Sequence, residues 1–151
     1  MHVHLRISES ATDPEFEPIH VKPLGARRYV IEFTPGLAYD VAAGDEIELA
    51  DDGTYFVVTR AGNVAIRVLS EQLLEQQESS LTYLVEKSLS GRLDGNIGRR
   101  CLAYTVPIQT GFPAIEKVFS EFIRTTPGSI WEYGNVYDKN GQPLNWWQSD
   151  T

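Results

Sequence analysis

The pattern of apolar residues changes its period near residue 70, and this switch limits the folds open to the chain more than any other feature. Before it, hydrophobic side chains alternate. Val3, Leu5 and Ile7 interleave with His2, His4 and Arg6, and Ile19-His20-Val21-Lys22 repeats the alternation up to Pro23. A period of two is the signature of a half-buried strand. Tyr29-Val30-Ile31-Glu32-Phe33 is β-branched and aromatic and is closed by Pro35-Gly36. Glu46-Ile47-Glu48-Leu49 and Tyr55-Phe56-Val57-Val58 flank Asp51-Asp52-Gly53, and Asp-Gly between strand-like runs predicts a hairpin. Val64 to Leu69 is a further strand. Residues 1–69 thus read as a β-rich subdomain, a small antiparallel sheet or open barrel.

After residue 70 the spacing becomes helical. Leu81, Leu84, Val85 and Leu89 fall on one helix face, with Ser79 or Ser80 as the cap and Gly91 as the stop. Asp94-Gly95-Asn96-Ile97-Gly98 reads as a loop and Cys101 to Ile108 as a strand. Ile115, Val118, Phe119, Phe122 and Ile123 form a second helical stripe that opens at Pro113. Ile130 to Tyr137 is a strand, and the tail through Trp146-Trp147 is irregular. Alternating strands and helices make crossovers of one hand, so residues 70–151 predict an α+β subdomain built as a split β-α-β, ferredoxin-like unit. Each part is marginal by size alone, and the two are expected to pack as one unit.

The chain is acidic, with 21 Asp and Glu against 13 Lys and Arg and a net charge of −8. Residues 1–75 carry 13 acids and 6 bases, a net of −7, and six of the acids (Asp40, Asp45, Glu46, Glu48, Asp51 and Asp52) fall within thirteen positions. Such a balance disfavours nucleic-acid partners, which need clustered cations. No apolar run spans a bilayer. The single cysteine, Cys101, excludes an internal disulfide within these residues. The N-terminus has no secretory pattern. Together these features predict a cytoplasmic location. Cys101 opens an apolar run and reads as a buried, inert thiol.

The segments Ile19-His20-Val21-Lys22-Pro23-Leu24, Arg28-Tyr29-Val30-Ile31, Pro35, Gly44-Asp45-Glu46-Ile47 and Gly62-Asn63-Val64-Ala65-Ile66-Arg67-Val68 resemble an uncharacterised bacterial family, domain of unknown function four-two-six-five. The resemblance implies a fold and a bacterial setting but no mechanism. The family pattern places His after the glycine, where this chain has Asn63, so a role for that His is not carried over. In size and charge alone the chain is also similar to bacterial toxin-immunity proteins.

Candidate chemistry is sparse. His2 and His4 share a strand face, but a zinc site needs further ligands, and the reading is no metal and no cofactor. Asp45, Glu46 and Asp52 are candidate carboxylates for acid–base work, yet a hairpin setting predicts exposure and ordinary pKa values. Gly95 to Gly98 with Arg99-Arg100 has the shape of a backbone-clamping loop but lacks the following helix. No nucleophile elbow or phosphate loop occurs, so no catalytic residue is assigned. The aromatic set Trp131, Tyr133, Tyr137, Trp146 and Trp147 is the other unusual feature.

The expectation is a noncatalytic binding protein, and most concretely an immunity-type inhibitor. It would hold a basic toxin or effector through Asp40, Asp45, Glu46, Glu48, Asp51 and Asp52, with Trp146 and Trp147 as apolar anchors. One alternative is a small enzyme or ligand-binding protein with its pocket between the two subdomains. A buried Asp, His or Arg would mark that pocket, whereas a seam filled by Trp146 or Trp147 would speak against it. The other alternative is a structural module that forms a homo-oligomer through an exposed strand edge.

Overall fold

A computed structural model describes residues 1–148 apart from 9 and 11. It has the α+β architecture that the change of period predicts. Five strands come first: β1 (His2–Arg6), β2 (Phe16–Gly25), β3 (Arg28–Ile31), β4 (Glu46–Leu49) and β5 (Tyr55–Thr59). They form one antiparallel sheet in sequential order. The sheet curls but does not close into a barrel. Its outer strands β1 and β5 do not pair, and one backbone hydrogen bond, Arg6 N–H to Gly53 O at 2.9 Å, joins the end of β1 to the β4–β5 turn. Leu5, Val21, Ile31, Val41 and Ile47 fill the concave side.

Strand β2 is longer than the sequence suggests. Pro23 does not stop it, and Pro18 also lies within it. A proline has no ladder donor and is tolerated where no neighbour needs one. Strand β1 covers only residues 16–20 of β2, and β3 only residues 21–25. Ladder bonds alternate from side to side. Val21 donates toward β1, at Met1, and His20 accepts from the β3 side, at Glu32. Pro18 therefore faces the side β3 does not reach, and Pro23 the side β1 does not reach.

The second part runs β6 (Asn63–Ser70), α1 (Glu75–Leu89), β7 (Arg92–Ile97), β8 (Cys101–Pro107), a 3-10 turn at Ile108–Thr110, α2 (Phe112–Thr125) and β9 (Ser129–Tyr133). The sheet order is β7-β8-β6-β9, with every pairing antiparallel. Helix α1 starts four residues before the expected serine caps, because the Gln77 side chain accepts the Leu74 N–H at 2.8 Å. Segment 94–98, expected as a loop, is mostly strand β7. Its Gly95 marks an irregularity of register against β8. The two helices cover one face of this sheet, where Ile66, Val68, Tyr104, Phe119 and Leu81 are fully buried.

The opposite face carries Ala65, Arg67, Cys101, Ala103 and Thr105, and the connection between β3 and β4 packs there. Thr34 donates its hydroxyl to Thr105 at 2.6 Å, Thr105 donates to Asp94 at 2.5 Å, and Thr34 N–H reaches the same carboxylate at 2.8 Å. The two sheets therefore share a buried polar seam. No helix is long and apolar enough to cross a membrane among the described residues.

Candidate functional site

The acidic cluster does not form a single surface. Asp45, expected to be exposed, is fully buried. Its two oxygens accept the N–H of Ala42 at 3.0 Å and of Ala61 at 2.9 Å, tying the β3–β4 connection to the start of β6. Burial pushes its pKa up, against these hydrogen bonds and the Arg60 charge. Arg60 grips Asp40 through both its carbonyl and its carboxylate at 2.6 Å. Arg28 lies 3.2 Å from Glu46 and 3.6 Å from Glu48, and Arg27 lies 3.0 Å from Asp51. Asp52 caps its own hairpin turn by accepting the Thr54 N–H and hydroxyl, which hold its pKa down. Each of the six carboxylates thus has a partner within the chain.

The tail folds back. Trp146 donates its indole N–H to Asn135 O at 2.7 Å and lies under the Arg60 guanidinium. Trp147 meets Phe112 edge to face. Both are half-buried against the helix-side core. Cys101 is buried, as expected, and burial raises its thiol pKa. His2 stacks on His20 across the β1–β2 ladder, with their Nε2 atoms 3.0 Å apart. No three metal-ligating side chains gather among the described residues.

A cleft of about 1170 Å³ opens between the two sheets. The end of β1 (Arg6, Ile7, Ser8), the β3–β4 connection (Leu37, Tyr39, Asp40) and the start of β5 (Thr54, Tyr55) form one wall. Trp131, Glu132 and Tyr133 of β9, with Tyr137, Asp138, Lys139 and Leu144 of the tail, form the other. Trp146 and Trp147 are not among its lining residues.

The cleft rests on a buried arginine. Arg67, in the middle of β6, is 2% exposed. Its guanidinium donates to Leu37 O at 3.1 Å and to Ala38 O, and stacks 4.2 Å from the centre of the Tyr39 ring. On their other side, residues 36–38 give their N–H groups to the Glu17 carboxylate, with Ala38 closest at 2.7 Å. The donors of this loop thus face the first sheet and its acceptors face the second. Arg67 Nε has no hydrogen-bond partner among the described residues. It lies beside Gly134, where a Cβ would already crowd Ala65 Cβ at 3.1 Å.

Above Arg67, Tyr39 donates its hydroxyl to Glu132 Oε1 at 2.6 Å, and Tyr55 donates to Tyr39 O at 2.8 Å. The Tyr39 pKa is raised, first by the hydrogen bond to Glu132 and then by burial. Burial pushes Tyr55 up to about 12. These phenols act as fixed hydrogen-bond donors around neutrality. Aromatic walls with a few placed polar groups are what ligand pockets present.

Of the residues expected to bind a partner, only Asp40 lines this cleft. The sequence does not single out Arg67, Tyr39, Tyr55 or Glu132 as site residues. The available signal was a charged residue in the centre of an otherwise apolar strand, since a buried Arg needs partners and so marks an organised place.

Two comparisons bear on the chain. The sequence pattern of a family described as "Domain of unknown function (DUF4265)" matches residues 17–130. A structure titled "Novel crystal structure of a hypothetical protein from Neisseria gonorrhoeae" superposes with a TM-score of 0.67 at 14% sequence identity, covering 88% of this chain and 92% of that one. At that identity the likeness is one of fold. No curated protein matches the chain.

Proposed function

This chain belongs to the DUF4265 family, a domain of unknown function, and we propose that it is a noncatalytic binding module whose site is the cleft between the two sheets. The observation that carries this is the aromatic-walled cleft, whose Leu37 and Tyr39 are held from behind by the buried Arg67 and which is clear of Trp146 and Trp147. Phenols already fixed by their own hydrogen bonds, with oxygens that can still accept, and a rigid floor lower the ordering cost of binding. In this reading the second sheet and its helices are a ferredoxin-like unit, supported by the β-α-β-β-α-β element order. The open first sheet supplies the opposing wall.

A small-molecule fragment screen followed by backbone amide shifts tests the assignment. Hits are expected to move Tyr39, Tyr55 and Trp131 together, and Tyr55→Ala is expected to weaken them. Hits that gather instead in the groove of about 650 Å³ between α1 and α2, or that ignore Tyr55→Ala, would overturn it.

The immunity-type reading is a narrower form of the same proposal, in which the ligand is a basic toxin or effector. The net charge of −8 supports it, through faster association that salt slows. The intramolecular pairing of residues 40–52 shifts its contact surface from that cluster toward the cleft.

A further inference from the structure

Trp131, Glu132 and Tyr133 are consecutive in β9, and all three line the cleft. Side chains alternate between faces along a strand, so three neighbours share one cleft only along the strand's edge. β9 is the outer strand of its sheet, paired on one side with β6. Gly134 donates to Ala65 of β6 at 2.8 Å. Ladder hydrogen bonds alternate, so Glu132 also directs its N–H and C=O to β6. The N–H and C=O groups of Trp131 and Tyr133 then point away from β6, into the cleft.

Resting on the reading of the cleft as the binding site, we propose that β9 accepts an extended segment of a partner protein as an added strand. The segment carries Lys or Arg opposite Glu132 and apolar side chains opposite Trp131 and Tyr133. Main-chain hydrogen bonds supply affinity in such additions, and alternate side chains supply specificity. The register follows from the faces of β9. Glu132 lies opposite Arg67, on the side of the sheet where Tyr39 packs. Arg67 spends its hydrogen bonds on Leu37 and Ala38 and reaches Glu132 only at ion-pair range, Nη1 to Oε1 at 4.0 Å, while Glu132 Oε2 accepts no hydrogen bond among the described residues. A cation opposite Glu132 therefore meets an available carboxylate oxygen at the edge of the Tyr39 ring. Trp131 and Tyr133 project to the helix side, where they pack on Phe119 and Phe112 and extend an aromatic surface for apolar neighbours. A second copy fits less well, because antiparallel β9–β9 pairing centred on Glu132 sets two carboxylates opposite each other.

The test uses the full chain and a terminally blocked pentapeptide, Thr-Val-Arg-Val-Thr, together with the same peptide N-methylated at both valines. Amide exchange at Trp131 and Tyr133 is expected to slow by about tenfold or more with the first peptide, and N-methylation to weaken binding by about tenfold. Glu132→Lys is expected to reverse the preference toward the peptide with Glu in place of Arg. Binding that shifts Tyr39 and Tyr55 but leaves both β9 amides unprotected, or equal binding of the N-methylated peptide, overturns strand addition and leaves the cleft assignment standing. Failure of the peptides while fragments still bind has the same meaning. Failure of both peptides and fragments at the cleft removes the underlying reading as well. Protection of β9 in the free protein, with a dimer mass by light scattering, assigns the edge to a second copy and overturns the proposal.

Discussion

At the scale of single residues, the most informative side chains are those whose partners lie far away in sequence. Asp45 follows Gly44 and reads as an exposed turn residue. Its burial depends on Ala61, sixteen positions later, and no local pattern announces that. Arg67 was legible as part of a strand but not as the centre of a network, because its partners Leu37 and Ala38 offer backbone carbonyls that any sequence would provide. The tyrosines add a pH dependence. Tyr39, Tyr55, Tyr104 and Tyr133 all have raised pKa values, Tyr39 first through Glu132 and the others first through burial. In the unfolded chain they ionise near 10, so a folded state that keeps them neutral loses ground as the pH rises past that value. Stability from this source is full below about pH 10 and declines from there toward pH 12 and beyond. Urea midpoints measured across that range should fall, and the phenolate absorbance belonging to these four of the seven tyrosines should appear only in step with unfolding. Ionisation of all seven phenols near pH 10 in the native protein would contradict it.

At the scale of elements, periodicity located β1, β4, β5 and α2 closely, since each puts one apolar face on a core, and β6 and β8 stood out as near-continuous apolar runs because both of their faces are covered. It failed at β7. That strand, Arg92–Ile97, contains Asp94, Gly95 and Asn96, which in isolation favour turns. Asp94 is held there by Thr34, Thr105 and Arg92, so tertiary contacts override local preference. The junction into β7 is tight. A Cβ on Gly91 would meet Thr105 O at 2.7 Å and the methyls of Val85 and Val106 at 2.8 Å. Gly91→Ala should therefore cost about 1–3 kcal/mol, read as a lower urea midpoint with an unchanged slope. Gly98→Ala, where a Cβ meets nothing within 4 Å but φ is +58°, offers a contrast in which backbone strain acts alone, at about 1 kcal/mol. An unchanged midpoint in Gly91→Ala would show that the crowding there relaxes without cost.

At the scale of the molecule, the change of period near residue 70 does mark where the strand-only part gives way to the helix-bearing part, though β6 itself belongs to the second sheet. What the pattern could not display is how the parts meet, because the meeting runs through the β3–β4 connection, a segment with no period. Residues 36–38 lie there between Glu17 and Arg67. An ordinary ion pair can be inverted, acid for base, with little loss. This arrangement has a direction. The peptide units between the two charges present hydrogens to one side and oxygens to the other, as chain polarity dictates. Glu17→Arg and Arg67→Glu should each destabilise the fold by about 2–5 kcal/mol, and the double exchange should not restore it, because each new charge would face peptide atoms of its own sign. Recovery in the double variant would mean that the two side chains act through their charges alone. If it does not recover, descendants of this chain can lose the acid and the base together, but they cannot trade their places.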